Sequence, residues 1–75
     1  MGDELRINAR GLSVPGPRLM VAAALEKGRP GAVRVVVSND ASAQDVREYL
    51  AASGATVEVD QVGLEFHVIA QFSSD

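Results

Sequence analysis

Polar and apolar side chains alternate along Glu4-Leu5-Arg6-Ile7-Asn8-Ala9, which puts Leu5, Ile7 and Ala9 on one face of a short, half-buried strand. The next stretch, Arg10-Gly11-Leu12-Ser13-Val14-Pro15-Gly16-Pro17, carries two prolines and two glycines that interrupt any ladder, and it reads as a loop. Helix formers follow from Arg18 through Lys27. Pro15 or Pro17 suits the first turn of that helix, where a missing N–H costs nothing, and Gly28 suits the position just past its end. From Leu19 to Leu25 the helix is apolar almost all round, so either the sheet covers it broadly or a partner does. The small side chains of Ala22, Ala23 and Ala24 favour close approach to a sheet.

After a turn at Arg29-Pro30-Gly31, the β-branched run Ala32 through Val37 is that of a central strand, covered on both faces or on one face plus neighbours. Turn chemistry resumes at Ser38, and Asn39, Asp40 and Ser42 compete to cap a second helix, with Ser42 and Asp45 at capping-box spacing. Along that helix Ala43, Val46, Leu50 and Ser53 or Gly54 recur at spacings of three and four, opposite Gln44, Asp45, Arg47 and Glu48. Alternation returns over Ala55–Asp60 and Leu64–Phe72 around a turn containing Gly63, which predicts a β-hairpin. The order βαβαββ with right-handed crossovers gives a two-layer α/β sandwich with two helices on one face of the sheet. Val33, Val35 and the edge of the last strand are places where a second copy could pair, and the pattern leaves oligomeric state open.

Composition narrows the picture. A chain of 75 residues supports one core, so residues 1–75 are expected to form a single domain. With 47% hydrophobic residues but 4% aromatics, Val, Ala, Leu and Ile must fill that core. There is no cysteine, so disulfides, thiolate metal sites and thiol nucleophiles are excluded. A net charge of −3 argues against nucleic acid as a main partner. No apolar run approaches the roughly 20 residues of a membrane span, and the start Met1-Gly2-Asp3-Glu4 lacks the basic and apolar segments of a signal peptide, so a cytoplasmic location is expected.

Side chains able to do chemistry are few. His67 alone titrates near neutrality, but without a Cys or second His it reads as exposed surface on an edge or outer strand face. No metal-ligand spacing surrounds it, and no metal or other cofactor is expected. Ser13 precedes a helix start, where an anion would be stabilised, but no base is placed beside it by sequence. Asn39 and Asp40 lie where a strand ends and a helix begins, the rim on which α/β ligand sites gather, and helix capping explains them equally well. No G-x-G-x-x-G precedes a helix, so a dinucleotide fingerprint is absent.

The segment Ile7-Asn8-Ala9-Arg10-Gly11-Leu12-Ser13-Val14-Pro15-Gly16-Pro17, followed by a helix, resembles the TusA/SirA-like sulfur-carrier family, whose signature is L-D-x-R-G-L-x-C-P-x-P. Val37-Ser38-Asn39-Asp40, Asp45-Val46-Arg47 through Gly54, Val57-Glu58-Val59 and Phe66-His67-Val68 resemble its YedF-like, selenium-metabolism branch, so the likeness covers about residues 5 to 72. The resemblance implies a four-stranded mixed sheet with two helices. It also implies a persulfide carried on the motif cysteine, loaded by a desulfurase or rhodanese and passed to DsrE-like partners. Arg10, Gly11, Leu12, Pro15 and Pro17 match the motif; Asn8 replaces its aspartate, and Val14 stands at the cysteine position.

A cysteine at a helix amino terminus has its thiolate stabilised there, and valine has no lone pair to offer. The resemblance therefore implies a non-catalytic module, with Leu12, Val14, Met20 and the prolines forming an apolar docking patch within the frame Arg10, Gly11, Leu12, Ser13, Pro15, Pro17. One alternative is a sulfurtransferase whose active cysteine was replaced or is supplied by another chain. Another is an RNA-binding domain, for which Arg6, Arg10, Arg18, Arg29 and Arg34 supply a basic first half.

Overall fold

A computed structural model describes residues 4–73 of the chain. The start Met1-Gly2-Asp3 and the tail residues Ser74 and Asp75 lie outside the described residues. The elements are β1 (Glu4–Asn8), α1 (Gly16–Glu26), β2 (Ala32–Val37), α2 (Asp40–Ala52), β3 (Ala55–Val62) and β4 (Glu65–Phe72). The four strands form one mixed sheet in the order β1-β2-β4-β3, with β1 parallel to β2 and the other pairs antiparallel.

Period-two alternation assigns the two faces. Ile7, Val33, Val35, Val37, Val68 and Ala70 point to one side and are buried against Val21 of α1 and Ala43, Val46 and Leu50 of α2. Their neighbours in sequence, Arg6, Arg34, Val36, His67 and Ile69, face the other side and stay exposed or half-buried. Both helices thus cover one face and leave the other open, the expected two-layer sandwich. The β2 pattern alternates between half-buried and buried, so this strand is covered on one face and flanked on both edges.

The helix ends differ from the pattern in small, explicable ways. α1 begins at Gly16, two residues earlier than the helix formers alone predict, because Pro17 fits the first turn. α2 is capped by Asn39, whose Oδ1 accepts the Ser42 N–H at 2.8 Å. Ser42 is fully buried and turned toward the preceding loop, so it does not act as the cap. The broad apolar surface of α1 is divided: Val21 is buried and Ala24 and Leu25 pack on the core, while Leu19 and Met20 remain exposed.

Strand order corrects two expectations. β4 lies inside the sheet rather than at an edge, so β1 and β3 are the edges. Val33 and Val35 are fully buried beneath the helices and offer nothing to a second copy.

Leu50 is among the largest fully buried side chains. Leu50→Ala is expected to lower the unfolding free energy by about 2–5 kcal/mol. Leu64→Ala, at a side chain 90% exposed, should change it by less than about 0.5 kcal/mol. Urea unfolding followed by circular dichroism separates the two outcomes.

Candidate functional site

Parallel β1 and β2 end at the same side of the sheet where antiparallel β4 begins. The loop of residues 9–15, the first turn of α1, the start of α2 and the tip of the β3–β4 hairpin therefore meet at one end of the molecule. The loop is stitched to its surroundings by specific bonds. Ala9 N–H donates to the Val36 carbonyl at 2.9 Å, and Gly11 N–H donates to Ser38 Oγ at 2.9 Å. Ser42 Oγ donates to the Leu12 carbonyl at 3.4 Å, and Gly16 N–H closes a turn on the Ser13 carbonyl at 2.8 Å. Gly11 has φ +80°, a left-handed conformation that side chains rarely adopt, which explains a glycine in the Arg-Gly-Leu step. The Val14–Pro15 peptide bond is cis.

Two charge pairs fix the flanks. The Arg10 guanidinium grips Glu65 at the foot of the hairpin in a two-pronged contact, with Nε donating to Oε2 and Nη2 to Oε1, the latter at 3.1 Å. The hydrogen bond from Arg10 holds the Glu65 carboxyl below its ordinary value, and the same bond raises Arg10. Arg18 of α1 donates from Nε to Asp45 of α2 at 3.0 Å, which ties the two helices together. Asp45 is engaged in this bridge rather than in a capping box.

Between these flanks the surface is apolar. Leu12, Val14, Leu19 and Met20 are 39%, 46%, 56% and 40% exposed. Pro15 is exposed as well, but Pro17 is buried and adds nothing to the surface. The hairpin tip at the same end exposes Val62, on the open face of the sheet with Asp60, and Leu64, which is almost wholly exposed. The sequence pattern puts Val62 in the turn and Leu64 at the start of the last strand, whereas β3 runs on to Val62 and Leu64 lies in the turn; only the strand order brings them to the loop end.

The remaining sequence candidates separate. Ser13 is exposed at the loop and no hydrogen bond links it to His67. Asn39 is used as the cap of α2, and Asp40 is exposed in its first turn. His67 sits on interior strand β4, on the open face, with its side chain only 18% exposed. It is not free surface, because its Nδ1 lies 3.0 Å from Arg34 Nη1. Among the described residues no group of three His, Cys, Asp or Glu lies close enough to hold a metal ion. No helix among them is long and apolar enough to cross a membrane.

The site therefore offers an anchored loop, a helix amino terminus and an apolar rim, with no nucleophile paired to a base. Such a surface suits contact with another protein. The Arg10–Glu65 pair has a measurable signature. The folded carboxyl is lowered from an ordinary value of 4.5, so its contribution to stability is complete above that pH and disappears as pH falls through the folded-state value. Glu65→Gln is expected to flatten the loss of stability from about pH 5 to about pH 3, seen as a smaller shift in urea midpoint than the parent shows.

The structure superposes on the crystal structure of a SirA-like protein from Desulfitobacterium hafniense with a TM-score of 0.78, covering 89% of this chain and 95% of that one at 24% identity. That likeness bears on the fold. A comparison with curated proteins gives no match. Residues 5–71 match the family model of sulfurtransferase TusA. The match runs from β1 through the motif loop and nearly to the end of β4, and the chain belongs to the TusA family.

Proposed function

We propose that this chain is a sulfur-carrier-type module that binds the protein partners of a sulfur- or selenium-trafficking pathway without carrying sulfur itself. One observation carries the reading. Val14 is exposed just before α1, between the Arg10-Gly11-Leu12 step and Pro15, where the motif resemblance puts the family's persulfide cysteine, and the chain contains no cysteine. Transfer of sulfane sulfur needs a thiolate to attack and hold it. An isopropyl group cannot.

What remains is the apparatus of contact. Family membership supports a sulfur-carrier-type module. The apolar rim of Leu12, Val14, Met20 and Leu64 supports docking of a protein with a matching apolar surface. Partners of the class that the resemblance implies are a DsrE-like protein, a desulfurase or a rhodanese, in the cytoplasm. The resemblance to the YedF-like branch favours a selenium-linked setting.

Isothermal titration against a DsrE-like protein or desulfurase from the same source is expected to show binding in the micromolar range. Leu64→Asp and Met20→Asp should weaken it at least about tenfold, as loss of an apolar contact at an interface does. Absence of binding at high micromolar concentration would count against the reading. Chemistry is tested separately. After incubation with a persulfide donor, mass spectrometry should find no added sulfur on the parent chain, and an adduct there overturns the assignment of Val14. Val14→Cys should gain an adduct and alkylate with an apparent pKa below the roughly 8.5 of a free thiol.

A further inference from the structure

We propose that the open face of the sheet holds a binding site for a small tetrahedral oxyanion, of the phosphate or sulfate type, formed by Arg6, Arg34 and His67. This site adjoins the loop end at Arg10 but lies on the open face of the sheet, and it does not rest on the reading proposed for the loop end. A groove of about 240 Å³ runs over β1, β2 and β4, lined by Arg6, Asn8, Arg10, Arg34, Val36 and His67. That is several times the roughly 30 Å³ share of a water molecule in the liquid.

The donors along it outnumber their acceptors. Arg6 and Arg34 are direct cross-strand partners in the β1–β2 register, a like-charge placement that costs stability unless something negative lies between them. Glu4 serves both: it is 3.1 Å from Arg6 Nε but 3.6 Å from Arg34 Nε, beyond hydrogen-bond reach. Arg34 Nε is accordingly buried without a hydrogen bond. With Arg10 committed to Glu65, Arg6 and Arg34 share the one carboxylate of Glu4, so three guanidinium groups are paired with two carboxylates.

His67 adds a donor of fixed orientation. A guanidinium only donates, so the 3.0 Å contact from Arg34 Nη1 makes Nδ1 the acceptor and leaves the ring hydrogen on Nε2. The Nε2 to Glu65 separation of 3.9 Å is too long for a hydrogen bond, so this N–H remains available. Planar guanidinium forks and an imidazole N–H match the oxygens of a tetrahedral anion. The site is also bounded. Across the sheet His67 is followed by Asp60, and Ile69 by Glu58, on β3. A polyanion running across the strands would meet these carboxylates, whereas a small anion over β1 and β2 has beside it Glu4, shared between Arg6 and Arg34, and Glu65, held by Arg10.

The test titrates inorganic phosphate and sulfate at constant ionic strength while following the His67 ring and arginine side-chain resonances by NMR. Saturable shifts at millimolar ligand are expected, with affinity reduced about tenfold in Arg34→Gln, the loss typical of one charge-assisted hydrogen bond. Arg6→Gln, at a side chain 77% exposed, provides a second variant that leaves packing untouched and should weaken binding similarly. A phosphomonoester that binds more tightly than phosphate points to an organic phosphate as the ligand; the reverse order points to the free ion, and both support the site. Shifts linear in concentration, shifts undiminished in both variants, or tighter binding of an oligonucleotide than of either ion would overturn it.

Discussion

The dry seam between the helices and the sheet is the constraint on which the other features depend. Valines at 33, 35, 37 and 68 present one methyl-studded surface, and Val21, Val46 and Leu50 close on it with no solvent access. Aromatic side chains are scarce and there are no cysteines, so the fit of small branched groups forms the centre of the seam, with Tyr49, Phe66 and Phe72 packed at its margin. Once Val46 and Leu50 seat α2, its amino-terminal turn is placed beside the loop of residues 9–15. Ser42 then reaches the Leu12 carbonyl and Asp45 reaches Arg18. The shape of the loop end is thus a consequence of core packing transmitted through one helix.

The parts of the fold that were legible in the sequence are those governed by a local period. Alternation in Glu4–Ala9 and in the β3–β4 region, the β-branched run of β2 and the three-and-four spacing of Ala43, Val46 and Leu50 each report which side of an element is buried, and the structure agrees. Alternation does not report which strand lies beside which. The placement of β4 between β2 and β3 was therefore hidden, and with it the contact of His67 with Arg34 and the arrival of Val62 and Leu64 at the loop end. The contest among Asn39, Asp40 and Ser42 was hidden for a related reason. Each can cap in isolation, and burial of Ser42 against the loop decides in favour of Asn39.

Charge is sorted as firmly as hydrophobicity. The chain is acidic overall, yet the open face is divided, with Arg6 and Arg34 over β1 and β2 and with Glu58 and Asp60 over β3. Acidic side chains along the β3 edge disfavour its pairing with a second copy in antiparallel register, because like charges would be set against each other. The net charge describes neither half, and a basic groove is compatible with a total of −3.

The large apolar side chains left exposed among the described residues, Leu12, Val14, Leu19, Met20, Val62 and Leu64, all belong to elements that meet at the loop end. Single exposed apolar residues are ordinary; their gathering at one end is the observation from which the docking reading proposed above is argued. On the reading proposed above, the residue at position 14 sits within that surface, which limits what can replace a cysteine there. Both cysteine and valine are small and apolar, so valine keeps the contact while removing the only atom able to hold sulfur. A charged or strongly polar residue would remove the chemistry and the docking together. A valine separates the two functions, which is the arrangement expected of a chain that still meets the partners of a sulfur carrier but no longer accepts their cargo.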